Sequence, residues 1–149
     1  MILSHQQIEE IAAAVTKDFN EFFFGKELDN PRIARATPID QFAKDYLGLN
    51  VSFTHLSADG SLCGLTAYTD TEYILDIGGI QRTIPLKQNQ VLLDSSFIRP
   101  GQVRKLCGKR RFTLAHECAH QILFPWKMMR RRRPVGKNTL PGQRILCAI

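Results

Sequence analysis

The hydrophobic residues of this chain change period twice, and that change restricts its architecture more than any other feature. From Ser4 to Gly48 apolar residues recur at three- and four-residue steps, the spacing of one helix face. From Asn50 they alternate in short runs broken by turn residues, as half-buried strands do. From Gln102 to Phe124 the helical step returns. Strands and helices segregated in this order predict an α+β fold.

The first helix is expected over residues 4–23, with Ser4 and Gln7 as a capping box. Its inward face would carry Ile8, Ile11, Ala12, Val15, Phe19 and Phe22. A loop at residues 25–36 contains Gly25 and Pro31. In "TPIDQFAKDYLGL" Thr37 is expected as N-cap, Pro38 at the first helical position, Asp40 on the helix dipole and Gly48 at the end. Ile39, Phe42, Ala43, Tyr46 and Leu47 would face inward.

Strands are expected at "NVSFTHL", "LCGLTAYT", "EYILDIGG" and the first half of "QVLLDSSFI", forming a small, largely antiparallel sheet of three or four strands. Asp59-Gly60 and Pro100-Gly101 mark turns. A third helix should run from Gln102 to Phe124, because Pro125 disfavours helical geometry in the residue before it.

The chain has 149 residues, about one domain. Its net charge of +6 is unevenly placed. Residues 118–149 hold seven basic residues and no acid, while residues 1–117 hold 13 basic and 14 acidic ones. Basicity therefore belongs to the C-terminal segment, so the overall charge does not argue for a nucleic-acid-binding domain. The expected organisation is a domain at residues 1–124 and a basic, loosely ordered tail at 125–149. The N-terminus shows no basic, apolar leader pattern, and apolar runs stay well below the roughly 18 residues of a membrane span. A cytoplasmic protein is expected. The cysteines (Cys63, Cys107, Cys118, Cys147) form no CxxC pair, so free and mostly buried thiols follow.

The chemistry lies in "RFTLAHECAHQILF". On a helix, residues four apart differ by about 40° in azimuth and about 6 Å in rise. His116 and His120 therefore share a face and can hold one metal through their imidazoles. Glu117 lies about 100° from His116 and reaches a water at that metal. A zinc ion there lowers the pKa of water toward about 7 and polarises a carbonyl. Glu117 would serve as the base that passes the proton to a leaving amine. Phe112, Ala115, Ala119 and Ile122 supply a helical apolar period around the motif, and small Cys118 and Ala119 would let the helix pack closely. Cys118, about 200° round from His116, points away and reads as a core residue. An HExxH match also arises by chance; its context selects the peptidase reading.

"RRFTLAHECAHQILF", the preceding "LLDSSF", and the opening "IEEIAAAVTKDF" and "TPIDQFAKDYLGLNV" are similar to segments of the ImmA/IrrE family of metallo-endopeptidases, over about residues 6–124. The resemblance implies a minimal zincin-like domain acting on a regulatory protein such as a helix-turn-helix repressor. It implies Zn2+ as cofactor, His116 and His120 as metal ligands and Glu117 as catalytic base. Val91, Leu92, Leu93, Asp94 and Ser95 would form an edge strand that pairs with substrate backbone.

The family takes a third zinc ligand from an acidic residue on a helix beyond HExxH, and this chain has no Asp or Glu after Glu117. The reading therefore divides between a zinc endopeptidase and an inactive fragment truncated after the HExxH helix, as a frameshift would produce. Cys147 is the strongest substitute donor beyond the motif; His5 and His55 read as surface or strand residues. A third reading is a binding module whose Arg130–Arg133 run meets nucleic acid or an acidic partner. A solvated tail is the blander account of that run, since no aromatic platform accompanies it.

Overall fold

The fold is α+β. A computed structural model describes residues 3–25, 36–131 and 146–148, with the backbone path alone at 125–131 and 146–148. The expected loop falls mostly outside these residues.

Helix α1 (His5–Phe24) starts as its sequence dictates. Ser4 Oγ accepts the Gln7 N–H and Gln7 Oε1 accepts the Ser4 N–H. Its expected inward face is only partly covered, however. Phe19 is fully buried, while Ile8, Ala12 and Phe22 are exposed. The period reports which face is apolar, and tertiary contact decides how much of it is used. Phe19 anchors the helix by meeting the Phe42 and Tyr46 rings edge-on at 5.0 and 5.5 Å, a favoured aromatic geometry.

The second helix, α2, is one α-helical turn (Ile39–Gln41) continued by a π-helical stretch (Phe42–Tyr46). It begins one residue later than expected. Pro38 is the N-cap (ψ 86°), so it is not the first helical residue, and no side chain caps the helix. Thr37 lies outside and gives its carbonyl to Arg111 Nη2 at 3.1 Å. The wider turn, closed by Leu47 N–H to Phe42 C=O at 3.0 Å, accompanies burial of both Phe42 and Ala43.

Five strands follow the expected alternation, with one addition: β1 (Asn50–Thr54), β2 (Gly64–Ala67), β3 (Thr71–Ile77), β4 (Ile80–Leu86) and β5 (Gln90–Asp94). The addition is β4, whose polar residues and Pro85 blur its pattern. Proline is tolerated there because, among the described residues, β4 pairs only with β3, and the other side of its backbone has no strand to bond. Gly78 and Gly79 both take positive φ (64° and 82°) in the two-residue turn between them, which a primed hairpin turn requires.

After β5 come a 3-10 turn (Ser95–Ile98), helix α3 (Cys107–Arg131) and a C-terminal strand, β6 (Leu146–Ala148). Helix α3 starts five residues later than expected and continues past Pro125. The pre-proline restriction is a preference. A helix already anchored over several turns carries through it, forgoing one backbone hydrogen bond. Phe124 holds that end by stacking on Tyr68 at 3.9 Å. Residues 125–131 continue α3 and residues 146–148 form β6; the rest of the expected tail lies outside the described residues.

The strands form two sheets. One has the order β1-β5-β2-β6, parallel between β1 and β5 and antiparallel elsewhere; the other is the β3-β4 hairpin. Strand β5 lies inside the first sheet and is buried on both faces. Val91 and Leu93 join Phe19, Phe42, Ala43, Leu114 and Cys118 on the helical side. Leu92 joins Leu56, Leu65, Leu75 and Leu86 on the hairpin side. Two-sided burial explains the unbroken apolar run Val91–Leu93. Among the described residues, no helix is long and apolar enough to cross a membrane.

Candidate metal and acid-base site

Helix α3 presents a different face to the core from the expected one. Phe112, Ala115 and Ala119 are exposed; Thr113, Leu114, Glu117 and Cys118 are buried. Two neighbouring stripes both satisfy a 3.6-residue period, and packing selects the one containing Leu114 and Cys118. Ala119 consequently plays no part in close helix packing. Cys118 sits in the core as expected, and burial pushes its thiol up to about 12. Of the described cysteine side chains, Cys63 and Cys118 are buried and Cys107 is exposed, all free.

This rotation drives Glu117 under β2. The residue is fully buried, and neither carboxylate oxygen has a hydrogen-bond partner among the described residues. Burial pushes its carboxyl up to about 8, because desolvation penalises the charged form. Gly64 on β2 makes the approach possible. A Cβ there would stand 2.6 Å from Thr113 Cγ2 and 2.9 Å from Glu117 Oε1, closer than real side chains come. Gln121, one turn on, fastens the helix to the same strand through Nε2, which donates to Thr66 Oγ1 at 2.6 Å and to the Ala67 carbonyl at 3.1 Å.

The half-buried imidazoles of His116 and His120 converge. Their Nε2 atoms are 2.7 Å apart and the ring centroids 4.5 Å. A tetrahedral ion with metal–nitrogen bonds of about 2.0–2.1 Å separates its ligand atoms by roughly 3.3 Å. An opening of about half an ångström would seat such an ion. The donor set, two converging imidazole nitrogens, fits a zinc-like cation. Among the described residues no third His, Cys, Asp or Glu completes a metal-holding group.

The other candidates lie elsewhere. His5 is exposed on α1, 3.3 Å from Glu9. His55 lies just past β1, its Nδ1 3.9 Å from Asp94 Oδ2. Cys147 is in β6, its backbone opposite Thr66 in register. The side chains of Arg130–Arg133 lie outside the described residues.

The expected substrate edge is corrected. Val91, Leu92, Leu93 and Asp94 belong to β5, which is paired with β1 on one side and β2 on the other, while Ser95 opens the 3-10 turn. An interior strand has no free backbone groups for a peptide. Asp94 instead braces the fold: its carboxylate accepts the Leu56 and Ser96 N–H groups, each at 2.9 Å. Burial would raise its pKa, but hydrogen bonds from Ser96 and Leu56 outweigh that and hold it below the usual value.

Sequence reasoning missed Gly64, Thr66 and Gln121. Only Gly64 carried a signal, since a glycine inside a strand marks close approach of another element. No protein-family profile, curated protein or solved structure matches the chain.

Proposed function

We propose that this chain is a zinc-dependent peptidase domain of the ImmA/IrrE kind. On this reading it acts in the cytoplasm on a regulatory protein such as a helix-turn-helix repressor. The observation that carries the proposal is the convergence of the His116 and His120 Nε2 atoms to 2.7 Å, on a helix whose intervening Glu117 is buried with no hydrogen-bond partner among the described residues. His116 and His120 would hold the ion. When bound, zinc supplies Lewis acidity toward a carbonyl and toward water. Glu117 takes a proton from the attacking water and gives it to the departing amine.

A second reading rests on the donor count. Two imidazoles hold zinc less firmly than three protein ligands, so the chain would keep the site without sustained turnover. Metal analysis of the purified protein separates these readings. About one zinc per chain in wild type, lost in His116→Ala, supports the peptidase; Cys147→Ser losing it as well would identify the third donor. No zinc in wild type after exposure to excess zinc and desalting defeats the first reading.

A further inference from the structure

The β2 edge opposite β5 is the place where the fold could receive an extended peptide if strand β6, which now lies along it, were displaced. The backbone fixes which groups face that edge. Cys63 C=O accepts Asp94 N–H and Ala67 C=O accepts Asn89 N–H, at 2.9 and 3.1 Å. Residues 63, 65 and 67 therefore turn their polar groups toward β5. By the two-residue alternation of a strand, Gly64 and Thr66 turn theirs to the opposite edge. These are the residues beside the site: Gly64 abuts Glu117, and Thr66 binds Gln121. Strand β6 pairs antiparallel with that edge, in the register Leu65↔Ala148, Thr66↔Cys147 and Ala67↔Leu146.

We propose that the β2 edge is a binding site for extended polypeptide, and that β6 is its intramolecular occupant, a self-blocking strand that an incoming peptide must displace. The identification of the incoming peptide as substrate rests on the peptidase reading; the pairing itself does not. Strand addition recognises main chain, so the site accepts varied sequences that can extend. A tethered occupant competes at an effective concentration near the millimolar range. Weak pairing then suffices to hold the site closed.

The test uses the full chain. Cys147→Pro removes the N–H that pairs with Thr66, while Cys147→Ser keeps it. The probe is a fluorescein-labelled peptide with the sequence of residues 144–149 and serine at position 147, followed by anisotropy with chelator and again with zinc. The Pro variant should bind about tenfold or more tightly than wild type, and in chelator, where no metal can use the thiol, Cys147→Ser should match wild type. Equal binding by all three, or none by a folded Pro variant, overturns the proposal. Amide exchange in wild type serves if the Pro variant does not fold: the Thr66 N–H should be protected, and exchange at the rate of a free edge overturns the proposal. Neither measurement needs metal. Zinc-independent opening without any metal uptake would therefore uphold the self-blocking strand while the peptidase reading fails.

Discussion

Replacing Glu117 by glutamine removes one ionisation and almost no volume. In the folded protein the carboxyl is raised from the ordinary 4.5 to about 8, by burial. Between those values the folded state holds a proton that the unfolded chain has released. Its stability is therefore intact below pH 4.5 and falls as pH rises toward 8. Each pH unit in that window costs roughly 1.4 kcal/mol, about 5 kcal/mol across it. A total stability of about 5–15 kcal/mol is usual for a domain, so the effect should dominate its alkaline behaviour. Glu117→Gln should abolish this slope and raise the melting temperature at pH 8 by roughly 10 °C or more for a chain of this length. Thermal and urea unfolding at half-unit steps from pH 5 to 8, in chelator, reads it directly. Wild-type and variant profiles that stay parallel would refute the reasoning, for they would mean a carboxylate that water reaches. Added zinc should flatten the wild-type slope, because a nearby cation favours the charged carboxylate.

Three further outcomes follow from the packing around α3. Gly64→Ala should destabilise by about 1–3 kcal/mol in urea unfolding, since its methyl overlaps Thr113 Cγ2; adding Thr113→Ser, which deletes that carbon, should recover part of the loss. Gln121→Ala should cost about 1–2 kcal/mol through loss of its bonds to Thr66 and Ala67, and should speed amide exchange in β2. Asp40→Asn breaks the paired hydrogen bonds from Arg110, both 2.8 Å. The pair is partly exposed, so the cost should be about 0.5–1 kcal/mol. The hydrogen bond from Arg110 is the largest influence holding the Asp40 carboxyl below its usual value, so its contribution is present at neutral pH and lost on acidification. Acid titration of stability should show a smaller loss in the variant.

Much of the element order is legible in residue pattern. Ser4 and Gln7 specify the start of α1 because the cap is made within four residues. "HECAH" brings two imidazoles to one face because a helix repeats every 3.6 residues. Signals fail where they are weak or where distance in sequence intervenes. Pro85 and polar neighbours hide β4, and the proline rule stops α3 at Phe124 although the helix continues.

By itself, the sequence determined the α+β class, the capping of α1, the shared face of His116 and His120 and the placement of Glu117 one residue from that face. These are local matters, settled by backbone geometry over one or two turns. Only the tertiary structure decided that Glu117 is buried, that Gly64 admits it, that β5 is interior and that β6 lies along β2. Periodicity identifies an apolar face but not what covers it. Strand order likewise depends on pairings between residues as distant as Thr66 and Cys147, which no local pattern encodes.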